Sequence, residues 1–89
     1  MRLDKFLQVS RLIKRRTVAK EVAEEGRVSL NGRAARPATP VRVGDRLRIE
    51  LPRGPIEVEV LEVREHVPAK MAASLYRVVA GRGPASDEF

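Results

Sequence analysis

Seven cations fall between residues 2 and 20: Arg2, Lys5, Arg11, Lys14, Arg15, Arg16 and Lys20. One acid, Asp4, stands against them, so this stretch carries +6. Residues 21–50 hold six basic and five acidic residues and residues 51–89 hold five and six, which leaves +1 and −1. The net charge of +6 is therefore concentrated at one end of the chain. Binding of a polyanion is the chemistry that such a patch supports. Arginine suits it, because the planar guanidinium grips phosphate bidentately and also stacks on bases. With about six phosphate contacts, log K should fall with log salt at a slope near −4 to −5, at roughly 0.7–0.9 per contact. Aromatic residues are only Phe6, Tyr76 and Phe89. That argues against a stacking platform for single strands and for folded RNA read by shape.

Other chemistry finds little support. Glu57 and Glu59 share one strand face at period two and read as solvated side chains rather than an acid–base pair. Ser10 and Ser29 have no evident general base. His66 is the sole histidine and there is no cysteine, so no metal set is expected and His66 reads as a surface or loop residue. Neither a phosphate-binding G-x-x-x-x-G-K-[ST] loop nor a G-x-G-x-x-G turn is present. Catalysis is not expected, and neither is a cofactor.

The elements that must position the cations can be read from apolar spacing. Leu3, Phe6 and Leu7 predict a short first helix. Leu12 and Ile13 continue the apolar material through a turn. A second helix is predicted over about Arg15 to Glu25, with Val18, Ala19, Val22 and Ala23 as its apolar stripe and Gly26 as its stop. Thr17 is a candidate N-cap, although the helix can equally begin a residue or two earlier. The bases of this helix lie early and Glu21, Glu24 and Glu25 lie late, against the helix dipole. A need for positive charge at the N-terminal end would explain that order. Asn31-Gly32, directly after the alternating Val28-Ser29-Leu30, predicts a type I′ hairpin turn. Pro37 and Pro40 confine the next segment to an edge strand or loop. Leu47, Ile49 and Leu51 alternate with charged residues, as do Ile56, Val58 and Val60, so two half-buried strands are predicted around a turn at residues 52–55. The apolar phase flips at Leu61 and Val63, which implies a bulge or the strand's end. Residues 66–70 read as a loop, Met71–Val79 fits a helix or a strand, and residues 81–89 are expected to be disordered. The architecture is α+β in one small domain.

The series Arg2-Leu3-Asp4-Lys5-Phe6-Leu7, Ser10-Arg11, Arg15-Arg16-Thr17, Ala19, Val22-Ala23, Gly26 through Gly32, and Val43-Gly44-Asp45 resembles the alpha-L (S4-type) RNA-binding motif. That resemblance implies two N-terminal helices packed on a small bent antiparallel sheet over residues 1–60, with residues 61–80 as an extension packed on the domain. Among free-standing members the chain resembles the RqcP family of ribosome-quality-control cofactors. The likeness rests on the opening through Gly32 and on Ala72-Ala73-Ser74-Leu75-Tyr76. The related ribosome-associated heat-shock proteins carry a longer basic C-terminal extension, where this chain has Ser86-Asp87-Glu88-Phe89.

The resemblance implies binding to rRNA and peptidyl-tRNA on an obstructed large ribosomal subunit. It also implies support for C-terminal alanine tailing by a partner elongation factor. Arg2 and Arg16 match the family's RNA-contacting positions, and Asp4 would orient a neighbouring basic residue or contact RNA through a hydroxyl. The expected RNA-binding set is Arg2, Asp4, Lys5, Arg11, Lys14, Arg15, Arg16, Thr17, Lys20 and Asn31, the last chiefly as a turn. Alternatives are a heat-shock-type factor that recycles stalled large subunits, and a basic regulatory module that binds a protein or DNA. No apolar run is long enough to span a bilayer and the N-terminus lacks the apolar stretch of a signal peptide, so a cytoplasmic monomer is expected.

Overall fold

Apolar residues on every second position of two neighbouring segments can share one buried face only if the segments pair in a fixed register. The computed structural model, which describes residues 1–52 and 54–81, shows that pairing. Strands β3 (Arg46–Leu51) and β4 (Gly54–Val60) run antiparallel, with Leu47 opposite Val58 and Ile49 opposite Ile56 on the inner face. Arg48 opposite Glu57 and Arg46 opposite Glu59 lie on the outer face. With β1 (Val28–Leu30), β2 (Arg33–Ala34) and β5 (Tyr76–Ala80), they form one antiparallel sheet in the order β2-β1-β3-β4-β5.

Helices α1 (Leu3–Val9) and α2 (Arg16–Glu24) precede the sheet. Their apolar residues join its inner face in a single cluster in which Leu3, Phe6, Leu7, Ala19, Val28, Leu47, Ile49 and Val58 are fully enclosed. Leu12 and Ile13, in the turn between the helices, are buried as well. A side chain such as Phe6 contributes about 1.5–3 kcal/mol by leaving water. This cluster therefore fixes how the helices sit on the sheet. The architecture is the α+β arrangement expected.

The turns obey local chemistry. Asn31 and Gly32 have φ of 52° and 85° between Leu30 and its partner Arg33, as a two-residue type I′ hairpin requires. Gly26 has φ of 78°, and its N–H donates to the Ala23 carbonyl while that of Arg27 donates to Val22. This is a complete Schellman stop for α2. β2 is one of the two edge strands, and Pro37 and Pro40 lie in the loop beyond it.

Two readings that the sequence left open are decided. Thr17 is not the N-cap of α2: the helix begins at Arg16, with Arg15 as the capping residue and no side-chain cap. The bulge lies between Glu57 and Val58, where β4 meets β5. At Val60 β4 simply ends, and the N–H groups of Leu61 and Glu62 both donate to the Leu75 carbonyl. The ambiguous segment proves to be both structures in succession, a 3-10 helix over Ala69–Leu75 and then β5. Pro68 precedes that helix, and of the expected loop over 66–70 only residues 66–68 lie outside it. The expected disorder of residues 81–89 falls, from residue 82 onward, outside the described residues.

Candidate nucleic-acid interface

Asp4 lies in the first turn of α1, where the helix dipole favours an acid. It is only 3% exposed, and everything that compensates its charge is local. Its Oδ1 accepts from the Lys5 N–H at 2.7 Å and from Arg2 Nε at 3.2 Å, and its Oδ2 accepts from Arg2 Nη2 at 3.3 Å. Arg16 Nη2 approaches Oδ1 at 3.5 Å from the first residue of α2. One buried carboxylate thus holds two guanidinium groups, one beside each helix N-terminus. The Arg2 and Arg16 side chains themselves remain 52% and 47% exposed. A fork fixed on one side and open on the other is pre-organised for a phosphate.

The two helix starts differ. At α1 the Leu3 N–H donates to the Thr39 carbonyl at 2.9 Å and the Asp4 N–H to Pro37 at 3.1 Å, so the loop after β2 occupies these groups. At α2 no side chain caps the N-terminus, and Arg15, Arg16 and Thr17 are all exposed there. Positive dipole and positive side chains coincide at this end, which favours an anion. Lys14 and Lys20 are exposed on either side in sequence, and Lys5 is half-buried on α1.

Arg11 occupies an unusual place. It comes directly after the Ser10 C-cap of α1 with φ of 62°, and its N–H donates to the Gln8 carbonyl. Glycine normally fills that left-handed position, because an L-side chain costs about 1–2 kcal/mol there. Buried Ser10 supports the turn: its Oγ donates to the Leu7 carbonyl and accepts from the Leu12 N–H. Its role is structural, and neither its residue type nor its spacing signals that in sequence.

Asn31 stands apart from this group. Its Nδ2 donates to Asp45 Oδ1 at 3.0 Å and its Oδ1 accepts from the Arg46 N–H at 2.8 Å. Asp45 Oδ2 in turn accepts the Arg42 N–H at 2.8 Å. The side-chain amide latches the hairpin to the loop before β3. Glu57 and Glu59, read as solvated, form ion pairs with Arg48 and Arg77 on the outer sheet face. The Arg77 hydrogen bond holds the Glu59 carboxyl below its ordinary value. His66 is exposed, and no metal-ligating cluster occurs among the described residues.

The S4 domain family matches residues 1–47, the stretch that contains the Asp4 cluster, α2 and the Asn31 latch. The chain is 53% identical over 78 residues to the RQC P-site tRNA stabilizing factor of Halalkalibacterium halodurans, covering 88% of this chain and 89% of that one. The chain belongs to this S4-domain family. The factor of the same name from Bacillus subtilis is 47% identical over 79 residues, covering 89% of this chain and 92% of the relative. Among solved structures, the trimeric heat shock protein 15 of Vibrio cholerae superposes with a TM-score of 0.83 at 30% identity, over 90% of this chain and 82% of that one. The superposed share of the chain is thus larger than the S4 match over residues 1–47.

Proposed function

We propose that this protein is a non-catalytic, ribosome-associated quality-control factor that binds RNA through its helical face and stabilises a P-site tRNA on large ribosomal subunits. The observation that carries the reading is the Arg2–Asp4–Arg16 cluster, a buried acid that holds two exposed guanidinium groups across the helix starts. The names of the relatives support the same role. Within it, Arg2, Arg16, Arg15, Lys14 and Lys20 engage phosphates of rRNA and peptidyl-tRNA, Lys5 and Arg11 flank them, and Thr17 offers a hydroxyl. Asp4 orients the two arginines. The tRNA held in place is the substrate on which a partner elongation factor extends the stalled chain with alanines. The protein acts as a cytoplasmic monomer, and no described helix is long and apolar enough to cross a membrane. A second reading, consistent with the shared fold of heat shock protein 15, is a factor that rescues or recycles stalled large subunits.

Cosedimentation on a sucrose gradient, with RNA crosslinks mapped in the same fractions, tests the reading. The wild-type protein is expected with large subunits and crosslinked to rRNA and tRNA. Arg2→Ala with Arg16→Ala should weaken association at least about 100-fold, at about 1.5–3 kcal/mol per charge-assisted contact. The thermal unfolding temperature, which should fall because the buried Asp4 carboxylate loses both guanidinium partners, checks that the domain stays folded. Wild-type cosedimentation of the double variant would refute the site.

A further inference from the structure

In sequence, the acids among residues 21–50 nearly cancel the arginines there. In space the cancellation is local and incomplete. Glu25 pairs with Arg27 at 3.6 Å and Glu50 with Arg48 at 3.3 Å. Asp45 spends both oxygens on Asn31 Nδ2 and the Arg42 backbone N–H. Arg33, Arg36 and Arg42 are exposed and have no acidic partner among the described residues.

Arg36 and Arg42 stand on a loop tied to the start of α1, and Arg33 precedes that loop in β2. Arg36 is next to Pro37, whose carbonyl accepts the Asp4 N–H, and Thr39 accepts that of Leu3. Pro40 bridges to Arg2, and the Val41 N–H donates to the Met1 carbonyl at 2.7 Å. The backbone at both Arg36 and Arg42 is itself fixed. Arg36 and Thr39 exchange hydrogen bonds, the Arg36 N–H donating to Thr39 Oγ1 and the Thr39 N–H to the Arg36 carbonyl. Arg42 and Asp45 do the same through Asp45 Oδ2 and the Arg42 carbonyl. Two prolines stiffen the span between them. Cations on a stiff support lose less conformational freedom on binding than cations on a free loop.

We infer that Arg36 and Arg42, with Arg33 beyond them, form a second phosphate-binding surface continuous with Arg2. The protein then grips an RNA backbone from both sides of the α1 N-terminus. The inference rests on the RNA-binding reading of the helical face and adds to it residues that the linear charge count concealed.

Salt-dependent binding to purified large ribosomal subunits tests it, with the wild type beside Arg36→Gln/Arg42→Gln, Arg36→Lys/Arg42→Lys, Arg2→Ala/Arg16→Ala and Arg48→Gln. The glutamine pair should reduce the slope of log K on log salt by about 1.4–1.8, at roughly 0.7–0.9 per lost phosphate contact. The lysine pair should keep most of the slope, and Arg48→Gln all of it. Thermal unfolding of each variant checks the fold. A glutamine pair with wild-type affinity and slope, beside an impaired Arg2/Arg16 pair, would overturn the second surface alone. Lost affinity at an unchanged slope would also overturn it, as a contact other than phosphate. A wild type that does not bind would overturn the RNA reading and this inference together.

Discussion

The two faces of the molecule use arginine in opposite ways. On the outer face of the sheet, Arg48 sits between Glu50 and Glu57, and Arg77 is held by Glu59 across the β4–β5 pair. Both of these positive charges meet a negative one from their own or a neighbouring strand, so the pairs support register and solubility and add little net field. On the helical side, the seven cations of residues 2–20 stand beside one acid of that stretch, and that acid is buried, while the other acids of α2 come after them at its C-terminal end. Asp4 does not neutralise the surface; it aims two of its arginines. The difference lies in where the carboxylates stand, since the residue types are the same. Exposed carboxylates at strand period cancel charge, and a buried one at a helix start directs it.

Removing the directing acid should break the contrast most severely. Asp4→Ala raises the net charge by one, so long-range attraction alone would strengthen RNA binding. Loss of aim should instead weaken it about tenfold or more, and the lost charged hydrogen bonds should cost about 1–3 kcal/mol of stability. Binding titrations beside thermal unfolding read both effects. Tighter binding by Asp4→Ala would mean that the cluster acts through charge and not through geometry.

A smaller effect compares the two helix ends. α2 stops at Gly26 and α1 at Arg11, both at positive φ. If Arg11 is retained for its charge, Arg11→Gly should raise stability by up to about 1 kcal/mol through relief of the left-handed strain. That corresponds to a Tm rise of a few degrees, since about 4–8 °C accompanies each kcal/mol at this size. RNA affinity should fall at the same time. A variant both destabilised and fully active would make Arg11 a packing residue.

The smallest effect belongs to the outer face. The Arg77 hydrogen bond lowers the Glu59 pKa from its ordinary 4.5. A carboxyl held low in the folded state stabilises it above the unfolded pKa, and that contribution is lost as pH falls through the folded value. Arg77→Gln should therefore flatten the acid limb of the stability profile below about pH 4.5, where an ordinary carboxyl titrates, and leave RNA binding at neutral pH unchanged. An acid limb identical to that of the wild type would show that the pair contributes nothing measurable.

Local rules made much of this protein legible in advance. The alternation of Leu47, Ile49, Ile56 and Val58 determines which strand faces are buried, because a strand presents its side chains at period two. Asn31-Gly32 determines a hairpin, since few other pairs take two successive positive φ values. Gly26 determines the end of α2 in the same way. The concentration of cations before residue 21 marks the segment that most attracts an anion, because charge is additive along a short, compact segment.

What required the tertiary structure is everything that depends on long-range neighbours. The choice between helix and strand over residues 71–79 was settled by pairing with β4, which draws Tyr76–Ala80 into the sheet while Ala69–Leu75 stays helical. Asn31 looks like a turn residue in sequence, and only the approach of Asp45 and Arg46 makes it a latch. Asp4 reads as a lone acid among bases until α2 brings Arg16 to the same carboxylate that holds Arg2. Arg36 and Arg42 vanish in a running charge count because that count averages along the chain, whereas Coulomb's law acts through space. The sequence by itself determined the elements and the sign of the surface. Only the fold decided which charges are cancelled, which are aimed, and which are left to meet a ligand.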